Sequence, residues 1–171
     1  MTTKRPGLYR EEYERDSCGF GLIANLDDQP SHWIVATAIQ ALTRLTHRGA
    51  IAADGKTGDG CGLLLKKPES FLRTLAWEAG IAVAERFTAG NVFLSRDPQI
   101  AAYARATLEA AVRGEGLEVA GWRVVPTRPE VCGDEALKTL PRIEQIFVNA
   151  PADFDEAEFN RRLFIARRRA E

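Results

Sequence analysis

The chain has few of the residues that most often carry chemistry: among its 171 residues there are three cysteines, two histidines and a single methionine. The cysteines, Cys18, Cys61 and Cys132, stand 43 and 71 residues apart, which matches no CxxC-type metal motif. An odd number in a chain without a secretory signal argues against a disulfide framework. No apolar run approaches the roughly 20 residues needed to cross a bilayer. The amino terminus, MTTKRPGLYREEYERDS, has no apolar core of the signal-peptide kind, and a cytoplasmic location is expected. The net charge is −1, with Lys and Arg nearly balanced by Asp and Glu, so no strong field of one sign calls for nucleic acid or a membrane surface as a partner. What remains, 45% hydrophobic and 27% charged residues, is an ordinary globular composition of single-domain length.

The pattern along the chain changes sharply once. Residues 1–17 are charged and poor in apolar side chains, with Glu11, Glu12, Glu14, Arg15 and Asp16 close together, and read as an exposed leader. From Cys18 to Leu26 the sequence is apolar and punctuated by glycine, the composition of a buried strand, and 27–30 form a turn. Ser31 is placed to cap a helix whose stripe is Ile34, Ala38, Ala41, Leu42 and Leu45, with Gly49 as its stop. Residues 54–62 hold four glycines and read as loop, followed by a short strand over 62–66 and a helix over 69–79. Further strands are expected at 92–95, 117–125 and 143–148. Helices are expected from Asp97-Pro98 onward and over 155–169, and 126–141 reads mostly as loop. Strands and helices are mixed in a way that suits either an α+β or an α/β plan.

Four features are weighed for chemistry. Lys56-Thr57 after Gly55 invites a phosphate-loop reading, but the glycine that pattern requires is replaced by Ala50, and Gly58, Gly60 and Gly62 follow where a helix should open. Cys18 and His47 make a possible thiol-hydrolase pair, against which His47 is equally a helix-end histidine facing the helix dipole. Arg161, Arg162, Arg167, Arg168 and Arg169 form a basic cluster that reads first as a solvated helix end. Cys18 itself sits at the junction of leader and apolar segment. Cutting the Ser17–Cys18 bond would place an α-amino group, of pKa about 7.7–8.0, beside the thiol. One residue then supplies both base and nucleophile.

Glu14–Ala24 (ERDSCGFGLIA), Leu45–Ala50 (LTHRGA) and Ala53–Gly62 (ADGKTGDGCG), with Pro141–Pro151 (PRIEQIFVNAP) and Arg162–Arg169 (RLFIARRR), resemble the glutamate synthase large chains in the same order and with similar spacing. The resemblance implies an amino-terminal piece of a class II glutamine amidotransferase domain. The implied fold is the α+β N-terminal-nucleophile hydrolase fold, an αββα four-layer sandwich, incomplete in this chain. It divides the chain into a leader, 1–17, and the amidotransferase segment, 18–171. Cys18 matches the nucleophile that forms a thioester with the glutamine side chain and releases ammonia. Arg48 and Gly49 of the His-Arg-Gly string, and Asp59 of the glycine loop, match residues that support the substrate site. The implied partners are glutamine, the remainder of the large subunit and the small subunit, with neither nucleic acid nor membrane. FMN and an iron–sulfur cluster are implied for the parent enzyme and NADPH for its family, with no cofactor bound in this segment; the donor that serves this chain is not encoded here. The ammonia acceptor implied is 2-oxoglutarate. The chain has no Asn-Gly pair, the dipeptide that supplies part of the family's oxyanion hole. The isolated chain is therefore expected to be idle, with its leader still attached. Two alternatives stay open: a non-catalytic regulatory or interaction module, and an amidotransferase segment with another acceptor.

Overall fold

The computed structural model describes residues 19–45, 51–58 and 60–171. The chain divides into two compact units, Met1–Leu64 and Leu65–Glu171.

In the first unit, helix α1 spans His32–Arg44 and begins where Ser31 Oγ accepts the Trp33 N–H at 3.2 Å. Of the expected stripe, Ile34, Ala38, Leu42 and Leu45 are half-buried and Ala41 is exposed, and no residue of α1 is buried. The expected strand following Cys18 is not formed over the described residues 19–26, nor is the one at 62–66. Both stretches are apolar, but neither finds a pairing partner among the described residues. Phe20 is 95% exposed and Leu26 fully so. Composition alone makes no strand, because a strand's backbone groups must bond to a neighbour. The glycine-rich loop does form a tight turn: Ile51 bridges Gly58, and Ala52 N–H bonds to the Thr57 carbonyl at 2.7 Å. Gly55, with φ of 69°, takes the left-handed position that a side chain would strain.

The second unit is built on one antiparallel sheet. Its elements are α2 (Glu69–Glu78), β1 (Phe87–Leu94), α3 (Pro98–Gly114), β2 (Glu118–Val124), α4 (Asp134–Thr139), β3 (Arg142–Asn149) and α5 (Glu156–Ala170). The strand order is β1-β3-β2. Since β1 and β2 both run antiparallel to β3, they are parallel to each other, joined by α3 with β3 inserted between them: a split β-α-β unit.

Alternation on β3 explains why this sheet is covered on both faces. Ile146 and Val148 enter one core with Val112, Leu117, Phe159 and Ala166 from the α3 and α5 side. Phe147, fully buried, enters a second core with Phe87, Leu72 and Ala76 from the α2 side. Each such large side chain contributes about 1.5–3 kcal/mol by leaving water. The helices start where the sequence places caps. Asp97 accepts the N–H groups of Gln99 and Ile100, and Asp155 accepts that of Glu158.

Three local readings change. β1 is twice the expected length, because Thr88, Ala89 and Gly90 carry no apolar alternation to announce it. The 126–141 stretch contains a 3-10 turn at Pro129–Val131 and the short helix α4. The arginine cluster is mostly engaged within the chain: Arg162 and Arg169 both reach the buried Glu115, Arg161 pairs with Glu158, and Arg167 and Arg168 pair with Glu171. The fold is α+β in its coarse class, with a small antiparallel sheet and helices on both its faces. No second sheet is formed among the described residues.

Candidate functional site

The residues expected to form the site, Cys18, Arg48, Gly49 and Asp59, all lie outside the described residues, as does His47. The structure describes the segments on either side of them. Gly19 to Asn25, which follow Cys18, run without regular structure, with Phe20 and Leu22 facing solvent. Helix α1 leads toward Arg48 and Gly49, and its last described residue, Leu45, closes the helix by donating its N–H to the Leu42 carbonyl. The turn 51–58 leads from Gly49 toward Asp59.

That turn is held by one carboxylate. Asp54 Oδ1 accepts the N–H groups of Lys56 and Thr57 at 3.0 and 2.8 Å, and Oδ2 accepts the Thr57 hydroxyl at 2.5 Å. Lys56 and Thr57 therefore sit in a side-chain-closed turn rather than at the start of a helix, and the phosphate-loop reading has no geometric basis here. Sequence reasoning saw the glycines of this loop and passed over Asp54. An aspartate two and three residues before two backbone donors is the available signal.

An open hollow of about 430 Å³ lies between Ala24–Asp27 and the start of α1, where Ser31, Trp33 and Ile34 line it. Two of its polar side chains are already engaged: Asn25 accepts the Asp27 N–H and donates to the Gln29 carbonyl, and Ser31 caps α1. The hollow belongs to the helix entrance and presents no arranged nucleophile and base. Cys61 is a free, exposed thiol, and Cys132 is free and half-buried. Among the described residues no group of three His, Cys, Asp or Glu side chains comes together to hold a metal, and no described helix is long and apolar enough to cross a membrane. The described residues do not fit an iron–sulfur cluster, which needs converging thiolates.

Residues 18–171 match the sequence family of class II glutamine amidotransferases. The chain belongs to that family. The chain is 37% identical over 169 residues, 98% of its length and 11% of the relative, to the NADPH glutamate synthase large chain of Bacillus subtilis. It is 42% identical to ferredoxin-dependent glutamate synthase 2 of Synechocystis over 90% of this chain and 10% of that protein. To the NADPH glutamate synthase large chain of Azospirillum brasilense it is 38% identical, over 95% of this chain and 11% of the relative. The chain spans about one-tenth of the length of these relatives. Their names divide between two electron donors, so the likeness does not select one. The matched range takes in Cys18, Arg48, Gly49 and Asp59 and all of the second unit.

Proposed function

We propose that this chain is the glutamine-hydrolysing segment of a glutamate synthase, with Cys18 as nucleophile. The observation that carries the proposal is the class II amidotransferase match over 18–171, supported by relatives named as glutamate synthases along nearly the whole chain. In this reading the Cys18 thiolate adds to the side-chain amide carbon of glutamine. The C–N bond breaks, ammonia leaves with the proton taken from the thiol, and a γ-glutamyl thioester remains. Water then cleaves the C–S bond, giving glutamate and the free thiol. With Cys18 at the terminus of the processed segment 18–171, its own α-amino group shuttles the proton. The guanidinium of Arg48, charged at any working pH, favours thiolate and carboxylate groups nearby, while Gly49 and Asp59 shape the loops around it. The N-terminal-nucleophile αββα sandwich belongs to this same proposal, completed by further polypeptide of the large subunit.

In the parent enzyme the ammonia meets 2-oxoglutarate, whose reductive amination draws electrons through flavin and iron–sulfur groups carried elsewhere, with the small subunit as partner. By itself the chain is idle toward glutamine. Loss of one oxyanion donor typically costs about 10²–10³ in rate, and the sequence has no Asn-Gly pair.

The test separates the nucleophile from turnover. In the full-length parent chain, a glutamine-analogue electrophile should label Cys18 in preference to Cys61 and Cys132, read by peptide mass, and C18A should abolish that labelling. Equal labelling of all three cysteines would favour a non-catalytic module. Ammonia release by the isolated chain, lost in C18A, would uphold the nucleophile and overturn the idleness.

A further inference from the structure

The turn between the candidate site residues is closed at more than one level. Ile51 bridges Gly58 in antiparallel fashion, and the Ala52 N–H bonds to the Thr57 carbonyl at 2.7 Å. Inside that frame Gly55, in its left-handed conformation, donates its N–H to the Ala52 carbonyl at 2.9 Å. The innermost closure is made by a side chain. Half-buried Asp54 turns both carboxylate oxygens to the residues ahead of it: the Lys56 and Thr57 N–H groups donate to Oδ1 and the Thr57 hydroxyl to Oδ2. Such bonds to a charged acceptor are stronger than neutral ones. The two arms of the turn matter for what they carry. Arg48 and Gly49 stand three and two residues before Ile51, and Asp59 follows Gly58 directly. The chain cannot carry Gly49 more than about 7 Å from Ile51, nor Asp59 more than about 3.8 Å from Gly58. Whatever holds Ile51 against Gly58 therefore limits how far these residues can stray from one another.

We propose that Asp54 is a positioning residue of the glutamine site. The inference rests on the amidotransferase reading and adds to it a residue that acts through its neighbours in the loop. The carboxylate fixes the length and direction of the turn, and with them the places from which Arg48, Gly49 and Asp59 serve a bound glutamine. The loop needs such a closure. Residues 54–62 hold four glycines, and the freedom of glycine makes an open loop costly to order when substrate arrives. The role calls for an acceptor at a set distance, not for negative charge as such. An aspartate oxygen reaches the N–H groups two and three residues ahead, and the asparagine oxygen has the same reach. A glutamate, one methylene longer, does not match that spacing.

Two probes applied to the full-length parent chain separate positioning from reactivity. A glutamine-analogue electrophile must be recognised before it labels Cys18, whereas iodoacetamide needs only an accessible thiolate. D54A is expected to raise the half-saturating concentration of the analogue by about tenfold or more, as small displacements of binding groups do, and to leave iodoacetamide labelling of Cys18 unchanged. D54N, which keeps the acceptor, should restore most of the loss, and D54E, which keeps the charge, should not. A D54A chain that takes the analogue as the wild type does overturns the proposal and leaves the amidotransferase reading standing. So does equal slowing of both probes, which would mark a role in the fold alone, or rescue by D54E in place of D54N. A wild-type chain in which the analogue shows no preference for Cys18 removes that reading and this proposal with it. Should D54A fail to fold, T57V compared with T57S tests the same closure at the Oδ2 hydrogen bond. T57V is then expected to weaken the analogue alone, and a T57V chain that behaves as T57S does overturns the proposal.

Discussion

Glu115, only 4% exposed, is met from across the unit by Arg162, at 3.1 Å, and by Arg169. Arg162 also bonds Glu158 at 2.7 Å, so one guanidinium ties the end of α3 to the first turns of α5. The hydrogen bonds that Arg162 donates to Glu158 and Glu115 together push its pKa up. Glu158 is held below the usual carboxylate range, first by its hydrogen bonds from Arg161 and then by those from Arg162. The sign follows. A carboxylate with a depressed folded pKa stabilises the fold above its unfolded pKa, about 4.3, and loses that contribution as pH falls through the folded value. A carbon-detected NMR titration should therefore find Glu158 titrating below an ordinary glutamate, and R161A should move it back up. A Glu158 midpoint unchanged by R161A would remove Arg161 as the leading cause. Of this cluster, only the abundance of arginine was legible beforehand. Glu115 stands more than 40 residues away in sequence, and nothing local marks it as their common partner.

At the scale of elements, the helices were the readable part. α1, α3 and α5 begin at Ser31, Asp97 and Asp155, each a side-chain cap acting within three residues, and such short-range chemistry is written in the sequence. Strands were harder. β1 hid behind Thr88, Ala89 and Gly90, while residues 19–26 have strand-like composition and no strand. Pairing is decided by a distant partner: β1 is specified by β3, more than 50 residues later. The middle of β2 shows how tightly that pairing is set. A Cβ at Gly121 would come within 2.9 Å of Ile81 Cγ1 and 3.2 Å of its Cγ2 and Cδ1, so no rotation of Ile81 about its outer bond clears it. Gly121→Ala is expected to lower stability by about 1–3 kcal/mol in urea unfolding. A smaller penalty for Gly121→Ala in an I81A background, which removes all three carbons, than in the wild-type chain would tie it to this contact, and a neutral Gly121→Ala would contradict it.

For the molecule as a whole, burial is unevenly shared. Among the described residues, every buried apolar residue lies between Leu72 and Ala166, and none in the first unit. Residues 65–171 are therefore expected to fold by themselves with a single cooperative thermal transition, and residues 1–64 alone to show none, measured by circular dichroism and calorimetry. A cooperative transition in 1–64, or its absence in 65–171, would contradict this division. Cys18, Arg48, Gly49 and Asp59 all fall within the range of the first unit, Met1–Leu64.

The amino-acid sequence by itself determined the family, through strings that the family match over 18–171 supports. It also determined the starts of α1, α3 and α5, since each rests on neighbours within a few residues. Tertiary structure alone decided that β1, α3 and β2 form a split β-α-β unit around β3, and that Glu115 gathers two arginines. These depend on backbone groups and charges far apart in the chain, whose meeting is selected by the burial of both faces of β3 at once. Around Cys18 the two levels differ: the sequence names the residue, while the described segment that follows it, Gly19 to Leu26, stands in water without the strand its composition suggests.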